Sequence, residues 1–171
     1  MYTRRSFFAG AVVATALPAI AAHAKPEFEI IRTAEEWREL LTPEAYWILR
    51  EHGTEPRNIS PLNFEAREGR YACAGCAQPL FSSSTKYDSR TGWPSFWDAL
   101  PGGVGISTDW KLFFPRREVH CSRCGGHIGH VFRDGPKPTG QRYCMNGLAM
   151  DFVPDWPDWR GANPEFSNRF G

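Results

Sequence analysis

Four of the chain's five cysteines fall in two Cys-x-x-Cys tetrapeptides, Cys73-Ala74-Gly75-Cys76 and Cys121-Ser122-Arg123-Cys124, and the fifth, Cys144, stands alone in Arg142-Tyr143-Cys144-Met145-Asn146. Two thiolate pairs on tight turns suit a tetrahedral Zn²⁺, with Zn–S bonds of about 2.3 Å. The split reads as one structural metal and one reactive thiol. Forty-four residues separate the pairs, longer than an isolated zinc ribbon uses, so the metal must clamp two parts of one fold. The competing readings are two disulfides or two redox dithiols. A thioredoxin-type pair opens a helix after a strand, but Gln78-Pro79 follows the first pair and Gly125-Gly126 the second. Haem attachment needs histidine directly after the second cysteine, where Ala77 and Gly125 stand. A catalytic zinc on Cys121, Cys124, His127 and His130 is a further alternative, and it would strand Cys73 and Cys76.

Cys144 gains chemistry from its neighbours. In an extended Arg142 to Asn146, the side chains of Arg142, Cys144 and Asn146 share one face and Tyr143 and Met145 the other. A guanidinium beside a thiol favours the nucleophilic thiolate. The competing reading is a small buried core cysteine, but polar residues at the same parity do not read as a core face. His127 and His130, in Gly125-Gly126-His127-Ile128-Gly129-His130-Val131-Phe132, are candidate general acids. Three residues apart, they would face opposite sides of an ideal strand, so one site can hold both only if the chain bends or bulges near Gly129. Taken singly, each also reads as a hydrogen-bonded structural histidine. Trp93, on the Gly/Pro-shaped loop Gly92-Trp93-Pro94-Ser95-Phe96, suits the apolar wall of a pocket, although ordinary core packing competes in a chain of seven tryptophans.

The elements that position these groups are short. Thr33-Ala34-Glu35-Glu36 is a capping box ahead of Trp37, Leu40 and Leu41, and Thr42-Pro43 offers an N-cap with proline at the first helical position. Two short helices are therefore expected, followed by a connecting loop from Arg57 to Asn63. Candidate strands then cover Tyr71 to Cys73, Val104 to Thr108, Glu118 to Cys121, His127 to Phe132 and Arg142 to Phe152. Scattered Gly and Pro punctuate them as turns, and antiparallel sheets follow as the architecture. The expected fold is mainly β.

At the amino terminus, Thr3-Arg4-Arg5-Ser6-Phe7-Phe8 places paired arginines before an uncharged run to Ala22, and Ala22-His23-Ala24 has the small-x-small form of a cleavage site. This resembles a twin-arginine export signal over residues 1–24, with the mature chain, residues 25–171, starting at Lys25. The run is short for a span and contains Pro18, so an uncleaved anchor is the weaker reading. The formal net charge of +1 becomes −1 once Arg4 and Arg5 are removed, which gives no electrostatic case for nucleic acid or an anionic membrane. The mature length fits a single domain with a real core.

Taken together, the two knuckles, Gly92-Trp93-Pro94-Ser95-Phe96, the segment from His127 to Pro136 and Arg142-Tyr143-Cys144-Met145-Asn146 resemble the B-type methionine-R-sulfoxide reductases, in the family's order, from about Thr33 to Pro154. The resemblance implies two antiparallel β-sheets with short helices in a β-tent, Mss4-like fold, and one structural Zn²⁺ on Cys73, Cys76, Cys121 and Cys124. It implies reduction of methionine-R-sulfoxide in oxidised proteins or peptides. Carried over by position, Cys144 is the nucleophile that becomes a sulfenic acid. His127 and His130 deliver a proton to the sulfoxide oxygen, Asp134 and Arg142 hold and polarise them, and Asn146 anchors the substrate region. Trp93 packs on the substrate methyl, with Phe132 as a second wall.

The chain departs from the family at Thr91, where many members carry a resolving cysteine. With four cysteines on zinc no thiol remains to pair with Cys144, which implies an external, thioredoxin-like reductant; the export signal implies a periplasmic location. A rival reading is a non-enzymatic zinc-binding chaperone or interaction domain, because related folds serve that role and fold does not fix function.

Overall fold

The computed structural model describes residues 28–110 and 115–155; the export signal expected over residues 1–24 lies outside them. Helix α1 (Ala34–Leu40) begins at the expected capping box, the Glu36 backbone N–H donating to Thr33 Oγ1 at 3.2 Å and Thr33 N–H to Glu36 Oε2 at 2.7 Å. Helix α2 (Pro43–Glu51) starts under Thr42, whose Oγ1 accepts from Ala45 N–H. Each threonine thereby takes up one of the otherwise unpaired donors of the helix's first turn. Trp37, Ala45, Ile48 and Leu49 turn into the core.

Among the described residues nine strands follow: β1 (Gly69–Cys73), β2 (Pro79–Ser82), β3 (Lys86–Tyr87), β4 (Ser95–Phe96), β5 (Val104–Asp109), β6 (Arg116–Cys121), β7 (His127–Phe132), β8 (Arg142–Met145) and β9 (Met150–Pro154). They form two antiparallel sheets, β2-β1-β9 and β3-β4-β8-β7-β6-β5. The mainly β fold with two sheets and two short helices is as expected. The short strands β2, β3 and β4 carry little periodic signal, and Pro79 is tolerated because β2 is an edge.

The single strand expected from Arg142 to Phe152 is instead two strands in different sheets. A 3₁₀ turn at Gly147–Ala149 separates them. Its first backbone donors, Gly147 and Leu148 N–H, are taken by the buried carboxylate of Glu55 at 2.9 and 2.8 Å, and a Cβ on Gly147 would collide with Ser60. A carboxylate ninety-two residues away in sequence thus ends the strand directly after the Cys144 segment.

The sheets meet through aromatic rings. Phe81 of β2 stacks on Phe96 of β4, centroids 4.4 Å apart, while Tyr71 of β1 meets Phe96 edge-on at 4.8 Å and Tyr143 of β8 meets Phe81 at 5.6 Å. Such pairs contribute about 0.5–1.5 kcal/mol each beyond their burial. Tyr143 and Met145 are buried at 5 % and 0 % exposure, which leaves Cys144 on the outer face of β8.

Candidate active site

Register aligns the site. Cys144 pairs with Ser95 of β4 on one side and His130 of β7 on the other; His130 pairs with Glu118 of β6, and Glu118 with Ser107 of β5. Directly opposed residues share a sheet face, so a hydroxyl, a thiol, an imidazole, a carboxylate and a second hydroxyl form one row across five strands.

His127 joins that face through a bulge. Val119 pairs with Gly129 but the next residue, His120, pairs with His127, so Ile128 is an extra residue in β7 and the side-chain alternation resets. The two histidine rings come to 5.3 Å between centroids at 64°. Two carboxylates hold them. His127 Nδ1 lies 2.7 Å from Glu118 Oε1, and Ser107 Oγ donates to Glu118 Oε2 at 2.7 Å. His130 Nε2 lies 2.9 Å from Asp109 Oδ2, which Arg116 also binds, at 2.6 Å. Ionised carboxylates only accept, so these ring nitrogens carry the protons.

Burial alone would raise the Glu118 carboxyl, but hydrogen bonds from His127 and Ser107, with the charge of His127 and His52, bring it down to about 2. The His130 imidazole is held below its ordinary value by burial, with Asp109 opposing. Asp134 and Arg142, expected to hold the histidines, instead grip each other in a two-pronged pair of 2.9 and 2.8 Å. The Arg142 guanidinium also lies over the Phe132 ring, 4.4 Å from its centroid. The histidines' partners Glu118 and Asp109 come from β6 and β5, and only the strand pairing brings them there.

An open cavity of about 170 Å³ lies over the row, lined among others by Thr54, Trp93, His130, Phe132, Cys144 and Asn146. His130 reaches it beside the thiol; His127, 2 % exposed, sits behind. The Trp93 indole N–H donates to the Glu55 carbonyl at 3.1 Å. Asn146 accepts from Glu55 N–H at 3.0 Å and donates from Nδ2 to the Ile128 carbonyl at 2.9 Å, so its amide ties the cavity wall together. Glu55 is 1 % exposed, and burial raises its carboxyl, with the Leu148 and Gly147 N–H groups opposing. It thereby fixes Trp93, Asn146 and the turn after Cys144 at once. Its sequence setting, Gly53-Thr54-Glu55-Pro56, offers no periodicity that marks it.

The four remaining cysteines gather away from this cavity. Cys73 ends β1 and Cys121 ends β6, and the two turns have the same build. Ala77 N–H bonds the Cys73 carbonyl at 2.8 Å and Gly125 N–H the Cys121 carbonyl at 3.0 Å, with Ala77 and Gly125 both left-handed at φ 55° and 71°. Sγ of Cys73 lies 3.8 Å from that of Cys124, and Sγ of Cys76 lies 3.5 Å from that of Cys121. A tetrahedron with bonds of about 2.3 Å has edges of about 3.8 Å, whereas a disulfide needs about 2.05 Å. All four thiols are free and buried, and the neighbouring sulfurs push Cys73 and Cys76 up. The cluster can hold a metal ion, with donors and spacing that fit zinc. Because Cys73 and Cys76 belong to it, no open site of Cys121, Cys124, His127 and His130 is formed.

The SelR domain matches residues 41–154. The chain is 49% identical over 126 residues to the peptide methionine sulfoxide reductase MsrB of Methanosarcina mazei, covering 73% of this chain and 90% of that one. It is 50% identical over 133 residues to the MsrB of Leifsonia xyli, covering 77% and 96%. Against the chloroplastic peptide methionine sulfoxide reductase B2 of Arabidopsis thaliana it is 43% identical over 159 residues, covering 90% and 73%. With a match that spans the knuckles, the histidine strand and the Cys144 strand alike, the chain belongs to the SelR-domain family of B-type methionine sulfoxide reductases.

Proposed function

We propose that the protein is a peptide-methionine (R)-S-oxide reductase acting on oxidised proteins or peptides. The observation that carries this reading is the pairing of Cys144 with His130 in adjacent strands under a cavity walled by Trp93 and Phe132. The sulfoxide methyl packs on Trp93. Cys144 sulfur attacks the sulfoxide sulfur while a proton from His130, replenished from His127 behind it, reaches the oxygen. The attack makes an S–S bond; the protonated oxygen then shifts from the substrate sulfur to the Cys144 sulfur as that S–S bond and the S–O bond break, which leaves Cys144 as a sulfenic acid and releases methionine. Asp134 holds the Arg142 guanidinium over the Phe132 wall of the cavity. Two external thiols, from a thioredoxin-like donor, then reduce the sulfenic acid to thiol and water and become a disulfide.

Zinc on Cys73, Cys76, Cys121 and Cys124 clamps the two sheets and takes no part in the reaction. Arg4 and Arg5 direct export to the periplasm, with cleavage after Ala24. The test is reduction of separate R and S epimers of a methionine sulfoxide peptide with dithiothreitol. Turnover of the R epimer alone, abolished in Cys144→Ser with fold and zinc content intact, supports the reading. Equal turnover by the serine variant overturns it, and no turnover by the unmodified protein favours a binding module.

A further inference from the structure

Besides the four cysteines, one other group of metal-ligating atoms converges among the described residues. His52 Nδ1, Glu118 Oε1 and His127 Nδ1 lie within 4.8 Å of one another. Both imidazoles turn the same nitrogen to the same oxygen, His52 at 2.9 Å and His127 at 2.7 Å, and their rings lie 5.0 Å apart at 33°. The backbone fixes all three. His52 caps α2 in the left-handed conformation at φ 55°, and Gly53 behind it packs so closely on the Trp47 ring that a Cβ would collide. Glu118 and His127 sit in paired strands, and Ser107 holds the second carboxylate oxygen, the kind of outer partner that orients metal-ligating carboxylates.

We propose that His52, Glu118 and His127 form a second metal site, for a divalent ion of the zinc class, and that its occupation blocks turnover. Two imidazoles and one carboxylate are a donor set that borderline transition metals take, leaving a fourth position to water. Ligand atoms about 2.0–2.1 Å from a tetrahedral ion stand roughly 3.3 Å apart, so the present spacing opens by a few tenths of an ångström. The His52 side chain is 47% exposed and that of His127 only 2%, so the ion enters past His52. Coordination replaces the N–H···O bonds and moves each ring proton to Nε2. With Nδ1 on the metal, His127 has no place for a second proton and so relays none to His130. The blocking half rests on the proposed reduction; the binding half does not.

The test titrates Zn²⁺ calorimetrically into protein already holding one zinc per chain. His52→Asn is compared because asparagine tolerates the left-handed cap, and Cys144→Ser because the cavity thiol also binds zinc. The unmodified protein and Cys144→Ser should take up a second equivalent, and His52→Asn should bind it at least tenfold more weakly. In a single turnover without added thiol, which would itself chelate zinc, the rate of methionine formation by the unmodified protein should fall at least tenfold on saturation, while His52→Asn at the same zinc level should keep most of its own starting rate. Uptake of no second equivalent, or uptake lost in Cys144→Ser and kept in His52→Asn, overturns the site. A second ion that depends on His52 but leaves turnover intact overturns the block. A protein inert toward sulfoxide at every zinc level refutes the reductase reading, while calorimetry still decides the site.

Discussion

The Thr91 hydroxyl oxygen lies 3.7 Å from the sulfur of Cys144. It ends a chain in which Ser89 Oγ is 2.8 Å from Thr91 Oγ1 and 2.7 Å from Ser95 Oγ, and Ser95 donates to the Trp93 carbonyl at 3.1 Å. Each hydroxyl has one proton. With Ser95 committed to Trp93, Ser89 donates to Ser95, Thr91 to Ser89, and the Cys144 thiol to Thr91.

That proximity makes Thr91→Cys a direct test of whether position 91 can supply a resolving thiol. After one equivalent of substrate without reductant, mass spectrometry should find no internal disulfide in the unmodified protein, since the other four cysteines are buried in their own cluster. The variant should form one between residues 91 and 144, its side chains being within reach of a disulfide after modest rotation. A Cys144 disulfide to a knuckle cysteine in the unmodified protein would end the assignment of all four to permanent metal ligation.

Glu118→Gln should slow R-sulfoxide reduction by roughly 10–100-fold, as loss of an orienting partner does, and destabilise the fold by about 1–3 kcal/mol through unpaired buried groups. The acid limb gives a signed check. The Glu118 carboxyl is lowered in the folded protein from an ordinary 4.5 to about 2, so its contribution to stability is present above pH 4.5 and disappears as pH falls through about 2. Denaturation midpoints across that window should drop less steeply in the glutamine variant. An unchanged slope would remove Glu118 from the acid response.

Trp93→Phe keeps an aromatic wall but loses the hydrogen bond to the Glu55 carbonyl. KM for a sulfoxide peptide should rise several-fold, with a smaller change in kcat, because the loss falls on positioning of the substrate. A kcat collapse at constant KM would instead place the indole in the chemical step.

Glu55→Gln replaces two carboxylate acceptors with one acceptor and one donor, so one of the Gly147 and Leu148 N–H groups faces an amide N–H. A cost of about 1–3 kcal/mol in denaturant unfolding is expected. Because burial raises the Glu55 carboxyl, the charged form costs stability as pH climbs above 4.5, and the variant should lose that dependence. Equal stability of the two proteins at every pH would show that Glu55 does not anchor the turn.

Serine at any one of Cys73, Cys76, Cys121 or Cys124 should release the metal and lower the melting temperature, because a four-thiolate site contributes folding free energy directly. Elemental analysis paired with thermal unfolding checks both. Full stability without stoichiometric metal would refute the clamp.

Local chemistry is written in local sequence. The Thr33 and Thr42 caps, the paired cysteines and the parity that turns Cys144 away from Tyr143 and Met145 each depend on residues a few positions apart, and each is legible without coordinates. The sequence by itself also determined that both histidines need a backbone irregularity to meet, because a period of two forbids it otherwise. Only the tertiary structure decided where that irregularity lies, at Ile128 against Val119 and His120, since a bulge is defined by the register of the partner strand. The same holds for the partners of the site. Glu118 and Asp109 rather than Asp134 face the histidines, and Glu55 ends the Cys144 strand. Those contacts join strands and loops far apart in sequence, and a buried carboxylate reveals its role only through the donors that folding brings to it.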